Sequence, residues 1–112
     1  MAKVIITERL EREINRKFRG EAVRVFSLML TLETSPQKGK EIAGIGGIAV
    51  KELKYGKCRF YFLADRNKIK FLKSEEISDM ALKFVRMSEK KDQQKVIEEI
   101  KRVLRSIGAE GF

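Results

Sequence analysis

Six of the seven basic residues within residues 46–72, Lys51, Lys54, Lys57, Arg59, Lys68 and Lys70, are interleaved with aromatic and β-branched side chains, and the stretch is diluted by only two acids, Glu52 and Asp65. Alternate residues of a strand face opposite sides, so one face of such a segment can pack while the other stays cationic. The chemistry this allows is contact with a polyanion. The whole chain points the same way: 25 lysines and arginines against 16 acids give a formal charge of +9, and with no histidine that charge hardly changes near neutral pH. Excess lysine as a plain solvated surface is the competing explanation, because composition does not locate a patch. The single cysteine, Cys58, excludes an intramolecular disulfide and a Cys/His zinc cluster, and is expected to be a small core residue. No metal and no cofactor is expected.

The elements that must position these residues can be read in outline. Tyr55-Gly56 separates IAVKELK from KCRFYFL, and residues 64–67 separate KCRFYFL from KIKFL, which predicts a three-stranded antiparallel meander. Ahead of it, residues 3–6 form a β-branched run, Thr7 stands at a helix N-cap position, and Leu10, Ile14 and Phe18 recur every four residues. Gly20 interrupts before a second helical pattern with Ala22, Val25, Phe26, Met29 and Leu30, so a helical hairpin is expected. Pro36 ends it. Glycines 39, 44, 46 and 47 follow, but without GKS or GKT they read as a flexible connector rather than a phosphate loop.

Beyond the meander, Ser74 could cap a helix through EEISDMALKFVRM, while ALKFVRM alternates well enough for a strand, and residues 74–87 stay open between the two. Asp92 opens a final helix with Val96, Ile100, Val103, Leu104 and Ile107 in one stripe and Gly108 at the C-cap. Lys101, Arg102 and Arg105 suit that helix's dipole. The expected fold is a single α+β domain over 1–112: an antiparallel sheet, meander plus N-terminal strand, packed on an N-terminal helical hairpin, with a C-terminal helix. Phe60 and Phe62, with Phe71, Leu72, Phe26 and the stripe of the last helix, are assigned to the core. No apolar run is long enough for a membrane span and the N-terminus lacks a signal-peptide stretch, so a soluble cytoplasmic protein is expected.

The segments LETSPQKGKEIAGIGG, VKELKYGKCRFYF and KFVRMSEKKDQQKVIEEIKRVL, in this order, resemble the RelE/ParE toxin superfamily of toxin–antitoxin systems, in particular its RelE-like and HigB-like ribonucleases. The resemblance covers most of the chain. It implies a cytoplasmic toxin that cuts messenger RNA on the ribosome with lysines and arginines and is held inactive by a cognate antitoxin. It carries the hairpin arginine onto Arg59, the basic residues of the preceding strand onto Lys51 and Lys54, and the late cluster onto Arg86 with Lys90 and Lys91. The chain departs from the pattern by the inserted KSEEISDMAL and by lacking a tyrosine near the C-terminus. The alternative is a non-catalytic or ParE-like member, a gyrase inhibitor or a nucleic-acid-binding relic.

Cleavage of RNA by its own 2′-hydroxyl needs a proton acceptor, positive charge at the phosphorane and a donor for the leaving 5′-oxygen. Without histidine, the acceptor is a lysine of lowered pKa, a carboxylate or a tyrosinate. Lys54 is the expected lysine, crowded by Lys57 and Arg59 across the turn; a like charge about 5 Å away supplies roughly 3 kcal/mol at an effective dielectric near 20. Arg59 and Arg86 would hold the phosphate by forked hydrogen bonds. Lys51, Tyr55, Lys57, Lys90 and Lys91 are assigned to RNA binding, with Tyr55 preferred over Tyr61 for stacking on a base. Lys54 and Lys57 could instead simply guard a strand edge.

Overall fold

In a computed structural model the described residues are 1–70 and 80–112. Five strands, β1 (Lys3–Ile6), β2 (Lys40–Ile45), β3 (Ile48–Tyr55), β4 (Cys58–Asp65) and β5 (Ala81–Glu89), form one mixed sheet in the order β1-β5-β4-β3-β2. Helices α1 (Glu8–Phe18) and α2 (Ala22–Leu30) pack on one face, and α4 (Gln93–Ser106) on the other; a five-residue helix, α3 (Arg66–Lys70), follows β4. The fold is α+β.

The two layers bury different residues. Against α1 and α2 lie Leu53, Cys58, Phe60, Phe62, Leu82 and Phe84 of the sheet, with Leu10, Ile14, Val25 and Met29 of the helices. Phe62 and Phe84 pack with their rings tilted by 44° and centroids 4.9 Å apart, a contact worth about 1 kcal/mol beyond its buried area. Against α4 lie Val50, Tyr61, Leu63 and Val85, covered by Ile97, Ile100 and Leu104. The single core expected from the sequence is therefore two, because Phe60 and Tyr61 are sequence neighbours and point to opposite sides. Phe71 and Leu72 lie outside the described residues.

The N-terminal elements follow the sequence signals. Thr7 accepts a hydrogen bond at Oγ1 from the Leu10 N–H, 3.3 Å away, capping α1. Arg19 takes a positive φ of 46° after Phe18, and one turn of 3-10 helix leads into α2. The first strand takes an edge of the sheet, beside β5. It runs parallel to β5, Lys3 opposite Ala81 and Ile6 opposite Phe84, which makes the sheet mixed rather than antiparallel.

The meander itself is shifted by one strand from the sequence reading. Residues 40–45, expected as a flexible connector, form β2, and Gly46-Gly47 makes a two-residue hairpin with Ile45 opposite Ile48. Gly46 has φ of 59°, where glycine is unstrained. The β3–β4 hairpin turns at Gly56-Lys57 with Tyr55 opposite Cys58, as its Tyr-Gly signal predicted. The expected third strand KIKFL is not a strand over its described part: Asp65 Oδ1 accepts from the N–H groups of Asn67 and Lys68, each at 3.0 Å, and so caps α3. Of the open segment, residues 81–87 belong to a strand, so the helix considered from Ser74 through EEISDMALKFVRM does not run that far; its part over residues 74–79 lies outside the described residues.

Candidate functional site

Cross-strand register brings the sequence-selected residues into rows. On the α4 face, Lys54 of β3 lies opposite Arg59 of β4, which lies opposite Ser88 of β5. The next row on the same face is Glu52, Tyr61 and Arg86. Arg86 reaches this row through an irregularity in β5: Tyr61 pairs with Arg86 but Phe62 with Phe84, so Val85 is one extra residue. That bulge reverses the strand's phase. Phe84 faces the aromatic layer under α1, while Val85 joins the α4 layer and Arg86 bonds to Glu99 of α4.

Arg59 is the residue most exposed to chemistry by this arrangement. Its side chain is only 13% exposed, and its buried Nε has no hydrogen-bond partner among the described residues. The carboxylate of Glu52 stands 3.7 Å from that Nε, and Glu52 Oε2 is already taken by a hydrogen bond from Gln93 Nε2 of α4 at 3.0 Å. Arg59 opens onto a groove of about 410 Å³ at the end of the sheet, lined also by Gly56, Lys57, Glu89, Lys90 and Lys91. Lys57, Lys90 and Lys91 are exposed there. A guanidinium held with donor capacity to spare, beside three ammonium groups, fits a phosphate.

Arg86 is committed elsewhere. Its Nε donates to Glu99 Oε1 at 2.8 Å, its Nη1 to the Val85 carbonyl at 2.8 Å, and its guanidinium lies 5.0 Å from the Phe112 ring centroid. It is nearly buried under α4. Arg59 and Arg86 thus share a face but not a cavity.

Lys51 and Tyr55 lie on the opposite face from Lys54, as their odd spacing requires. Lys51 is buried, donates from Nζ to the Gln37 carbonyl at 3.0 Å and lies 5.7 Å from the Phe62 ring centroid. Burial pulls its pKa below the ordinary lysine value, against a weaker upward pull from Glu41. Lys54, expected to be the lysine of lowered pKa, is exposed. Tyr55 is half-buried, edge-on to Phe18 at 5.6 Å, a protein neighbour in place of a base.

Tyr61 is buried and its hydroxyl lies 2.7 Å from Ser88 Oγ. Burial raises its pKa, with Ser88 pulling the other way, so it sits in the site as a phenol and not a tyrosinate. Glu52, Ser88, Gln93 and Glu99 were not singled out from sequence. Glu52 could have been, since it lies two residues from Lys54 in a strand and must share its face.

No family model, curated protein or solved structure matches the chain. Among the described residues there is no group of His, Cys, Asp and Glu that could hold a metal ion, and no helix is long and apolar enough to cross a membrane.

Proposed function

We propose that the chain is the toxin of a toxin–antitoxin system, a RelE/ParE-type endoribonuclease that cuts messenger RNA on the ribosome and is restrained by a cognate antitoxin. One observation carries the reading: the nearly buried Arg59, its Nε without a hydrogen bond among the described residues and 3.7 Å from the Glu52 carboxylate, opens onto a groove lined by Lys57, Glu89, Lys90 and Lys91, with Lys54 directly across the hairpin.

In this reading Arg59 holds the scissile phosphate, and Lys57, Lys90 and Lys91 hold the strand on either side. The 2′-oxygen attacks phosphorus as its proton passes to a general base, the role this reading gives to Lys54. The bond to the 5′-oxygen breaks, a neighbouring ammonium protonates that oxygen, and the products are a 2′,3′-cyclic phosphate and a 5′-hydroxyl. Tyr61 and Ser88 stiffen the floor beneath Arg59.

The engagement of Arg86 by Glu99 favours a second reading, a member of the same fold that grips nucleic acid or inhibits gyrase without cutting RNA. Induced expression followed by mapping of message ends on ribosomes separates the two. Codon-phased cuts that vanish in Arg59→Ala support the ribonuclease. Growth arrest with intact messages supports the second reading, and absence of toxicity removes the toxin assignment.

A further inference from the structure

Helix α1 carries Arg9, Arg12 and Arg16, and Arg19 follows its last residue. Arg9, Arg12 and Arg16, three and four apart, share the flank of α1 turned away from the core, Lys17 falls with Glu13 toward β5, and Arg19 follows beyond the helix at positive φ. Glu8, Glu11 and Asn15 fall on the other flank, and Leu10, Ile14 and Phe18 on the core side. All five cations are exposed. Of the acids near them, Glu13 is paired with Arg9 at 3.2 Å and Glu89 with Lys17 at 2.9 Å.

A solvated helix would be expected to pair its charges at i,i+4. Glu8 and Arg12 have that spacing, yet among the described residues Arg12, Arg16 and Arg19 have no ion-pair partner. The flank borders two hollows between α1 and β5. Arg9 and Arg12 line the first with Lys83 and Arg86, and Glu8 is its one acid. Arg16, Lys17 and Lys91 line the second with three acids, Glu13, Glu89 and Asp92. Glu89 and Lys91 also line the groove in front of Arg59, so the two sites meet. From Arg9 to Arg16 the helix rises about 10 Å, the reach of a few nucleotides.

We propose that this flank of α1 is a second contact for the RNA backbone, carrying the single strand onward from the groove at Arg59. The inference rests on the RNA reading of that groove. Its ligand is the sugar–phosphate chain, met without regard to base, because arginines on a helix flank offer charge and forked donors but no pocket for a base.

The test uses the full chain and 2′-O-methyl RNA oligomers, which cannot be cleaved, of roughly 4 and roughly 12 nucleotides. Arg12→Ala/Arg16→Ala is expected to leave the short oligomer's affinity unchanged. It should weaken the long one about tenfold and flatten its log K against log salt slope by about 1.4, the loss of two single-strand phosphate contacts. Arg24→Ala/Arg105→Ala removes the same charge from elsewhere and should change neither. The proposal is overturned if the long oligomer binds Arg12→Ala/Arg16→Ala as it binds wild type, or if both double variants weaken it equally. If Arg59→Ala leaves the short oligomer's binding intact, the groove reading fails instead, and the comparison of long with short still reports on α1.

Discussion

Arg86 Nε meets Glu99 Oε1 at 2.8 Å, and this pair clasps β5 to α4 above the floor of the candidate site. The arginine side chain is 11% exposed and the glutamate 35%. Removing the glutamate strands a guanidinium whose remaining acceptor is the Val85 carbonyl.

Glu99→Ala is therefore expected to destabilise the fold by about 2 kcal/mol, less than a fully buried pair because water reaches the carboxylate. Arg86→Met in the Glu99→Ala background should recover part of that loss. Denaturant unfolding of the three variants checks this, and an unchanged midpoint in Glu99→Ala would show the pair to be screened.

Tyr61→Phe and Ser88→Ala each break the 2.7 Å hydroxyl contact on the α4 face. Each should cost about 1 kcal/mol, and the double variant should cost little more than Ser88→Ala alone, which leaves a buried phenol unpaired. Additive losses in a double-mutant cycle would rule out coupling.

Lys51 gives stability a pH dependence of definite sign. Burial lowers its pKa in the folded chain, so between the folded and unfolded values the unfolded state binds more protons. Stability from this group must rise with pH across that interval and level off near the unfolded value of about 10.4. Lys51→Met should remove the rise and leave the fold no less stable at neutral pH. Thermal unfolding of both proteins from neutral to alkaline pH measures it; parallel curves would refute the assignment.

Gly39 and Gly56 both have positive φ, 96° and 57°, but only the first is crowded. A Cβ at Gly39 would sit 2.9 Å from the Glu52 carbonyl oxygen and 3.1 Å from Phe62 Cζ, whereas at Gly56 nothing lies within 4 Å. Gly39→Ala should cost about 3 kcal/mol and Gly56→Asn well under about 1 kcal/mol, since asparagine tolerates this backbone. Equal losses in a chemical-denaturation comparison would contradict the packing at Gly39.

Much of this fold was legible wherever local chemistry decides the outcome. Thr7, the fourfold recurrence of Leu10, Ile14 and Phe18, and the Tyr55-Gly56 turn each act over a few residues, and each forms the element it signals. Gly46-Gly47 carried an equally local hairpin signal, but the surrounding glycines also fit a loop, and β2 went unseen. At Asp65 the same residue serves a turn or a helix cap, and only contacts beyond the segment choose between them. Within the site, Lys54 and Arg59 followed from the hairpin register. The layers did not: Lys51 looks like Lys54 in sequence, and only its odd spacing and the covering loop carbonyl of Gln37 bury it. The commitment of Arg86 to Glu99 spans two elements and has no short-range trace.

The extra residue in β5 makes chain length, and not only side-chain chemistry, part of what specifies the site. Unbroken alternation through residues 81–89 would have driven the guanidinium of Arg86 among the phenylalanines and presented Met87 to α4; the irregularity lets Val85 and Arg86 face α4 together. Deleting Val85 would therefore keep Arg86 opposite Tyr61 and Phe84 opposite Phe62, now in regular pairing, and would forfeit only the contact of Val85 with the α4 layer. The count of residues across the bulge, as much as their type, decides which side of the sheet each half of the strand serves.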